Sequence, residues 1–496
     1  MATHCLALWT SPSRLVRSSV LVLAVVWVAG CSPWAAPEPD LSAIYGRAAR
    51  HASPLRNPVV VIPGLTGSRL EDRVTGRPVW GTIGGDWASG DDPEGMRLSA
   101  LPMAEGVPFA ELRDEVEAVG VLDRVEIKFL GLPLEFKAYH HILEALGVGG
   151  YRDIDGALDV LDYGEGHFTC FQFPYDWRRS NVETARRFEE FLAETRLQVQ
   201  AEIEARYGIA DAEVKFDLVA HSMGAVMARY FLRYGGAPLP EDGSLPPLTW
   251  AGAEWVERAV MVAPPNAGAV GALEQLLNGR KFAPLIPRYR AAVLGTYPSG
   301  YELLPRSRFG SVRVDGEAVA DLFDVELWQR EGWGLADPRE ADVLEAILPQ
   351  VPEPEVRRRI ALDHLRRSLD SARAFTEALD RPARPPAGVE LLLIAGDAEA
   401  TARTVEVTRP SELKTVAYGP GDGKVLRSSA LMDEREAGPW SPRLISPIHW
   451  EDTLFLFESH LRITKDAAFT DNLLYWLLEE PRPGDPMRLP RDDSRH

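Results

Sequence analysis

Apolar positions along this chain fall into short continuous runs, separated by longer stretches in which they recur every three or four residues. The runs at 59–62, 168–173, 216–220, 256–262 and 390–395 are four to seven residues long and rich in Val, Ile, Leu and Phe. Runs of that length and composition predict strands buried on both faces. Residues 415–418 are read as one further strand of the same sheet. Between the runs, residues 182–207 carry Phe188, Leu192, Leu197 and Ile203 among charges, which predicts an amphipathic helix, and a second helix is predicted over 467–478. Strands alternating with helices imply right-handed crossovers and a mostly parallel sheet.

Two stretches break that rhythm. Residues 71–150 mix Trp80, Trp87, a run of Gly and Asp and one helix-like segment near 138–146, and are read as an inserted subdomain. Residues 266–386, with helical segments, prolines and aromatics including Tyr297 and Tyr301, are read as a cap. The sheet-forming core is therefore expected in two parts, 58–265 and 387–480, followed by a loose polar tail at 481–496. No repeat of solenoid period is found.

The N-terminus adds a processing signal. Arg14 and Arg17 precede an apolar run over 20–28 that is too short to span a membrane, and the run ends in the small residues Ala29-Gly30 before Cys31. Residues 1–30 are thus expected to be an export signal of lipoprotein type, with Cys31 as the lipidated residue, 31–57 as a tether, and plain secretion as the alternative. The expected location is the cell envelope, on a membrane facing the periplasm or on an outer membrane. With Lys+Arg 54 against Asp+Glu 73, the formal net charge is −19. That acidity argues against a nucleic-acid partner and against attraction to an anionic lipid surface, so the covalent anchor is expected to hold the protein at a membrane. Of the three cysteines, Cys5 lies in the signal and Cys31 is the lipid site, which leaves Cys170 without a partner for an intrachain disulfide. No Cys/His cluster has zinc spacing, so neither a metal nor a cofactor is expected.

The chemistry enters at Phe216-Asp217-Leu218-Val219-Ala220-His221-Ser222-Met223-Gly224, where a buried strand meets a small-x-Ser-x-small turn that opens onto a helix. That is the pattern of a nucleophile elbow, here with Ala220 in place of the usual first glycine, and it predicts an α/β-hydrolase fold with Ser222 as nucleophile. A serine hydroxyl needs a histidine to take its proton and a carboxylate to orient that histidine, in the chain order Ser, acid, His. Asp422 and His460 satisfy that order, with Asp397 and His449 as competitors. His221 is read as a support of the elbow. Pro63-Gly64-Leu65-Thr66-Gly67, after the first strand, supplies the expected oxyanion hole through the Leu65 amide, together with the amide of Met223.

Five stretches together resemble the lecithin:cholesterol acyltransferase family, which includes the lysosomal phospholipase A acyltransferase. They are Ile62-Pro63-Gly64-Leu65 with Gly67-Ser68-Arg69-Leu70-Glu71, then Pro174-Tyr175-Asp176-Trp177-Arg178, Ala220-His221-Ser222-Met223-Gly224, Gly421-Asp422-Gly423-Lys424-Val425 and Ser459-His460-Leu461. The resemblance spans most of 58–480, favours Asp422 over Asp397 and His460 over His449, and implies that the segment after Glu71 touches membrane. Lys424 stands where Thr is common, and the disulfides of vertebrate members cannot form here. What the resemblance implies is a serine acyl enzyme that takes a fatty acyl group from a lipid ester, for which a glycerophospholipid is the first expectation, and passes it to water or an alcohol. A general exported lipase or carboxylesterase is the alternative, and a catalytically inactive lipid-binding lipoprotein a more distant one.

Overall fold

The computed structural model describes residues 39–482 except 52, 84–85, 123, 130–131, 138, 155–168, 241, 283–286, 410 and 439. The signal at 1–30, Cys31 and the residues after 482 therefore lie outside the described residues. Six parallel strands make the central sheet: β1 (Val59–Ile62), β2 (Cys170–Gln172), β3 (Phe216–His221), β4 (Val256–Val262), β5 (Glu390–Gly396) and β6 (Asp452–Leu456), in the spatial order β6-β5-β4-β3-β1-β2. Every residue of β1, β3 and β5 is buried, as largely apolar runs require for strands covered on both faces, and the charged exceptions are paired, Asp217 with Arg482 and Glu390 with Arg258.

The helix Asn181–Tyr207 covers one face. Ser180 caps it by accepting the Val182 amide, and Gly208 closes it at φ 68°. Its buried stripe is Phe188, Leu192, Thr195, Val199 and Ile203; Leu197, expected on that stripe, points to solvent. The helix Ala467–Leu474, which continues as a wider turn to Glu479, covers the other face together with His140–Val148.

Two expectations about the sheet are corrected. The strand at 415–418 is part of Glu412–Gly421, which pairs antiparallel with Glu399–Thr408 in a separate four-stranded sheet. Exposure alternates along both strands, as it does in a hairpin with one wet face, so neither could fill a place buried on both sides. The sixth central place goes instead to β6, whose short mixed sequence had given no strand signal. Ordered chain also begins earlier than the expected tether allows. Leu41–Ala49 is helical, and Tyr45 is buried with its hydroxyl donating to the Asp471 carboxylate at 2.7 Å.

The inserted stretch and the cap share the core rather than standing apart. Arg178, fully buried, donates to Asp176 at 2.8 Å, to Asp114 at 2.7 Å and to the carbonyls of Leu98 and Ser99. Glu302 of the cap accepts from Ser180 Oγ at 2.6 Å and from the Asn181 amide at 2.8 Å. Removing one partner from such a buried charged network leaves the other uncompensated, at a cost of about 3–5 kcal/mol. Residues 174–181 therefore staple both insertions to the sheet.

Candidate active site

Ser222 sits between β3 and the helix Met223–Tyr234 with φ 54° and ψ −123°, a conformation that is strained for a residue with a side chain. The turn is held by the Ser222 amide donating to the Val262 carbonyl at 2.8 Å. Close packing makes glycine obligatory beside it. A Cβ at Gly224 would lie 2.2 Å from the Pro63 carbonyl oxygen, and one at Gly64 would lie 2.8 Å from Ser222 Cβ. Ala220 is fully buried in β3, where its methyl is accommodated.

Ser222 Oγ lies 3.0 Å from His460 Nε2, and His460 Nδ1 lies 2.7 Å from Asp422 Oδ2. The other Asp422 oxygen accepts the amides of Lys424 at 2.9 Å and Val425 at 2.7 Å, and the His460 amide donates to the Asp422 carbonyl at 2.9 Å. Burial alone would raise the Asp422 carboxyl, but His460 and the two loop amides hold it below the ordinary carboxylate value. An ionised acid, a histidine oriented through Nδ1 and a serine at Nε2 form a proton-transfer chain.

The competitors sit elsewhere. Asp397, directly after β5, pairs with Arg427 at 2.8 Å and takes its own amide to the Leu456 carbonyl. The His449 side chain, just before β6, makes no hydrogen bond among the described residues. The structure thus brings Asp422 and His460 to Ser222, and leaves Asp397 and His449 out.

The loop 63–68 is pinned at every side but one. Tyr175 Oη donates to the Pro63 carbonyl, the Gly64 amide donates to Tyr139 Oη, Trp80 Nε1 donates to the Thr66 carbonyl, and Trp177 Nε1 to the Ser68 carbonyl, at 2.8, 2.7, 2.8 and 3.2 Å. The amides of Leu65 and Met223 have no partner among the described residues. Unpaired amides beside a nucleophile are what an oxyanion hole requires. Trp80, in the segment after Glu71 that the resemblance places at a membrane, is buried and spent on this loop, and Trp87 is partly buried against the same core.

A cleft of about 360 Å³ opens at Ser222, His460 and Leu65. It adjoins an apolar pocket lined by Leu65, Trp177, Leu276, Phe282, Tyr297 and Leu303. Arg280 and Lys424 line the cleft, as does the carboxylate of Glu399. Burial pushes the Arg280 guanidinium down, and it has no hydrogen bond or ion pair among the described residues, only the Phe282 ring 4.7 Å away. Tyr139 and Arg280 were not singled out in the sequence. Each lies in an insertion with no motif of its own, and only the folded chain brings them to the serine. No group of three or more His, Cys, Asp or Glu among the described residues is arranged to hold a metal.

Residues 116–323 match the family model for lecithin:cholesterol acyltransferase. No curated protein matches the chain. Among solved structures, a chain of the Tle4–Tli4 complex is similar at 16% identity and TM-score 0.51, the match covering 85% of this chain and 98% of that one. That likeness shows the α/β-hydrolase fold. Lipase 1 from Pelosinus fermentans aligns at 14% identity over 86% of this chain and 99% of its own, with TM-score 0.30.

Proposed function

We propose, from the match of residues 116–323 to the lecithin:cholesterol acyltransferase family model, that the chain is a member of that family and acts as a serine-dependent lipid acyl hydrolase and O-acyltransferase. The family match supports acyl-ester chemistry. The observation that carries the finer reading is the unbroken chain Ser222–His460–Asp422 beside two unpaired amides in one cleft.

In the proposed reaction, His460 Nε2 takes the Ser222 proton as Oγ attacks the ester carbonyl, and the amides of Leu65 and Met223 receive the oxyanion. Collapse of that intermediate breaks the bond to the alcohol, which leaves with the proton from His460. The acyl-enzyme on Ser222 is then attacked by water or by a second alcohol, whose proton passes to His460 and on to the released Oγ. Asp422 stays ionised and orients the imidazolium throughout. The cleft at Ser222, apolar at Leu65, Ala272 and Leu303, suits an acyl chain, and Arg280, unpaired among the described residues, with Lys424 suits a phosphate, which together favour a glycerophospholipid as donor. Cys31 is proposed as a lipid anchor that holds the enzyme at its substrate surface in the cell envelope; among the described residues no helix is long and apolar enough to cross a membrane.

The test is purified protein with labelled phosphatidylcholine vesicles, with and without a long-chain alcohol, following lysolipid, free acid and new ester. Lysolipid and free acid without new ester would leave a phospholipase and remove the transferase. Turnover of short soluble esters alone would leave a carboxylesterase. Intact mass of the N-terminal peptide, with and without Cys31→Ser, tests the anchor.

A further inference from the structure

His221 precedes the nucleophile and is buried, with both ring nitrogens engaged. Nε2 lies 3.1 Å from the His460 carbonyl oxygen, and Nδ1 lies 3.1 Å from Tyr139 Oη. A carbonyl only accepts, so Nε2 carries the proton and Nδ1 must accept the Tyr139 hydroxyl hydrogen. Tyr139 Oη in turn accepts the Gly64 amide at 2.7 Å. The result is one directed chain, Gly64 N–H to Tyr139 O–H to His221 Nδ1, then His221 Nε2–H to the His460 carbonyl. Its ends are the Pro63–Gly64 peptide unit, one before the unit that carries the Leu65 amide, and the backbone of the histidine that reaches Ser222.

We infer that Tyr139 and His221 are positioning residues that fix the aim of the Leu65 amide and the placement of His460 through this hydrogen-bond chain. The inference rests on the serine-hydrolase reading above. Neither side chain serves as acid, base or nucleophile in that reaction; they act through the backbone units they hold. Tyr139 lies in the inserted stretch at the start of the helix His140–Val148, so the insertion supplies a hydrogen bond to the reacting centre.

The chain requires His221 to be neutral. The groups facing it are Tyr139 from the insertion, His460 with its ring centroid 4.9 Å away, and Asp422 behind His460. Burial first, then the neighbouring His460, push His221 down to about 3, against a smaller opposing pull from the His460 carbonyl and Asp422. A proton added at Nδ1 would remove the acceptor for Tyr139 and break the chain at its middle.

The experiment compares wild type, Tyr139→Phe, His221→Ala and His221→Gln on a soluble p-nitrophenyl ester, with Ser222→Ala as the inactive control. Tyr139→Phe should lower kcat about 10- to 100-fold with KM changed less than about twofold, the cost of a misaimed reacting group. His221→Gln, which can still donate to the His460 carbonyl, should recover at least about tenfold of the kcat lost in His221→Ala. Independently of turnover, ¹⁵N-histidine spectra should show His221 as the neutral Nε2–H tautomer from about pH 5 to 8, and a mixture of tautomers in Tyr139→Phe. Full kcat in Tyr139→Phe, or an Nδ1–H or doubly protonated His221 in wild type, overturns the inference and leaves the serine reading intact. A wild type that turns over no ester defeats both.

Discussion

Two acidic loops lie side by side at the carboxyl ends of the strands, and only one reaches the histidine. Asp397 follows β5, a central strand, which is where chain order alone would put the acid of a hydrolase; it pairs with Arg427 instead. Asp422 follows a hairpin strand outside the central sheet, yet it holds His460. The two loops touch, since a Cβ on Gly396 would lie 2.8 Å from Asp422 Cβ. What separates them is their partners. Asp422 is buried, with one oxygen on two amides and the other on an imidazole, whereas Asp397 faces the half-buried guanidinium of Arg427. The difference teaches that the acid is defined by the preorganised donors around it rather than by the strand it follows.

The largest effect expected is common to both loops: Ser222→Ala should lower kcat by ~10⁴ to 10⁶ with an unchanged circular-dichroism spectrum, because it removes the atom the loops compete to serve. Retained turnover in the purified variant makes the comparison meaningless. Next, Asp422→Asn should cost ~10⁴ in kcat, since the amide favours the wrong histidine tautomer, while Asp397→Asn should cost less than about tenfold. A reversal of that order in parallel kinetics breaks the comparison outright. The histidines sharpen it: His460→Ala should lose several orders of magnitude and His449→Ala less than about tenfold, measured as kcat/KM on the same ester. The smallest effect concerns stability against pH. The folded Asp422 carboxyl lies below its unfolded value, so the unfolded chain binds more protons in the window between the two. The stability that Asp422 contributes is therefore present above the unfolded carboxylate value and lost as pH falls through the folded one. Thermal melts from about pH 5 to about pH 3 should fall less steeply for Asp422→Asn than for wild type. Equal slopes would mean that the His460 pairing does not hold the carboxylate down.

Much of this was legible along the chain, for identifiable reasons. Ser222 could be read because an elbow imposes a local rule: an apolar strand, small neighbours, and a helix at once. Asp422 and His460 could be read as residue types in the expected order, but the choice over Asp397 and His449 came from resemblance, because nothing local to any of the four encodes which of them meet. The hairpin at 399–421 differs from the expected sheet strand because residues 415–418 are too short to show its period; over the full length, alternation of exposed and covered positions marks a strand with a wet face. β6 escaped because five residues with an acidic start are too few to show a period. Pro174-Tyr175-Asp176-Trp177-Arg178 was recognisable as a signature, yet its work is to hold the loop 63–68 and both insertions, which depends on partners far away in sequence.

The two bonds between Asp422 and His460, one from the imidazole and one from the backbone amide, have a mechanical consequence. They make acid and base a single clip carried on two different connections, and the elbow meets that clip twice, through the Ser222 hydroxyl and through His221 Nε2 at the His460 carbonyl. A shift of either connection would therefore carry acid and base together and leave the tautomer of the imidazole unchanged.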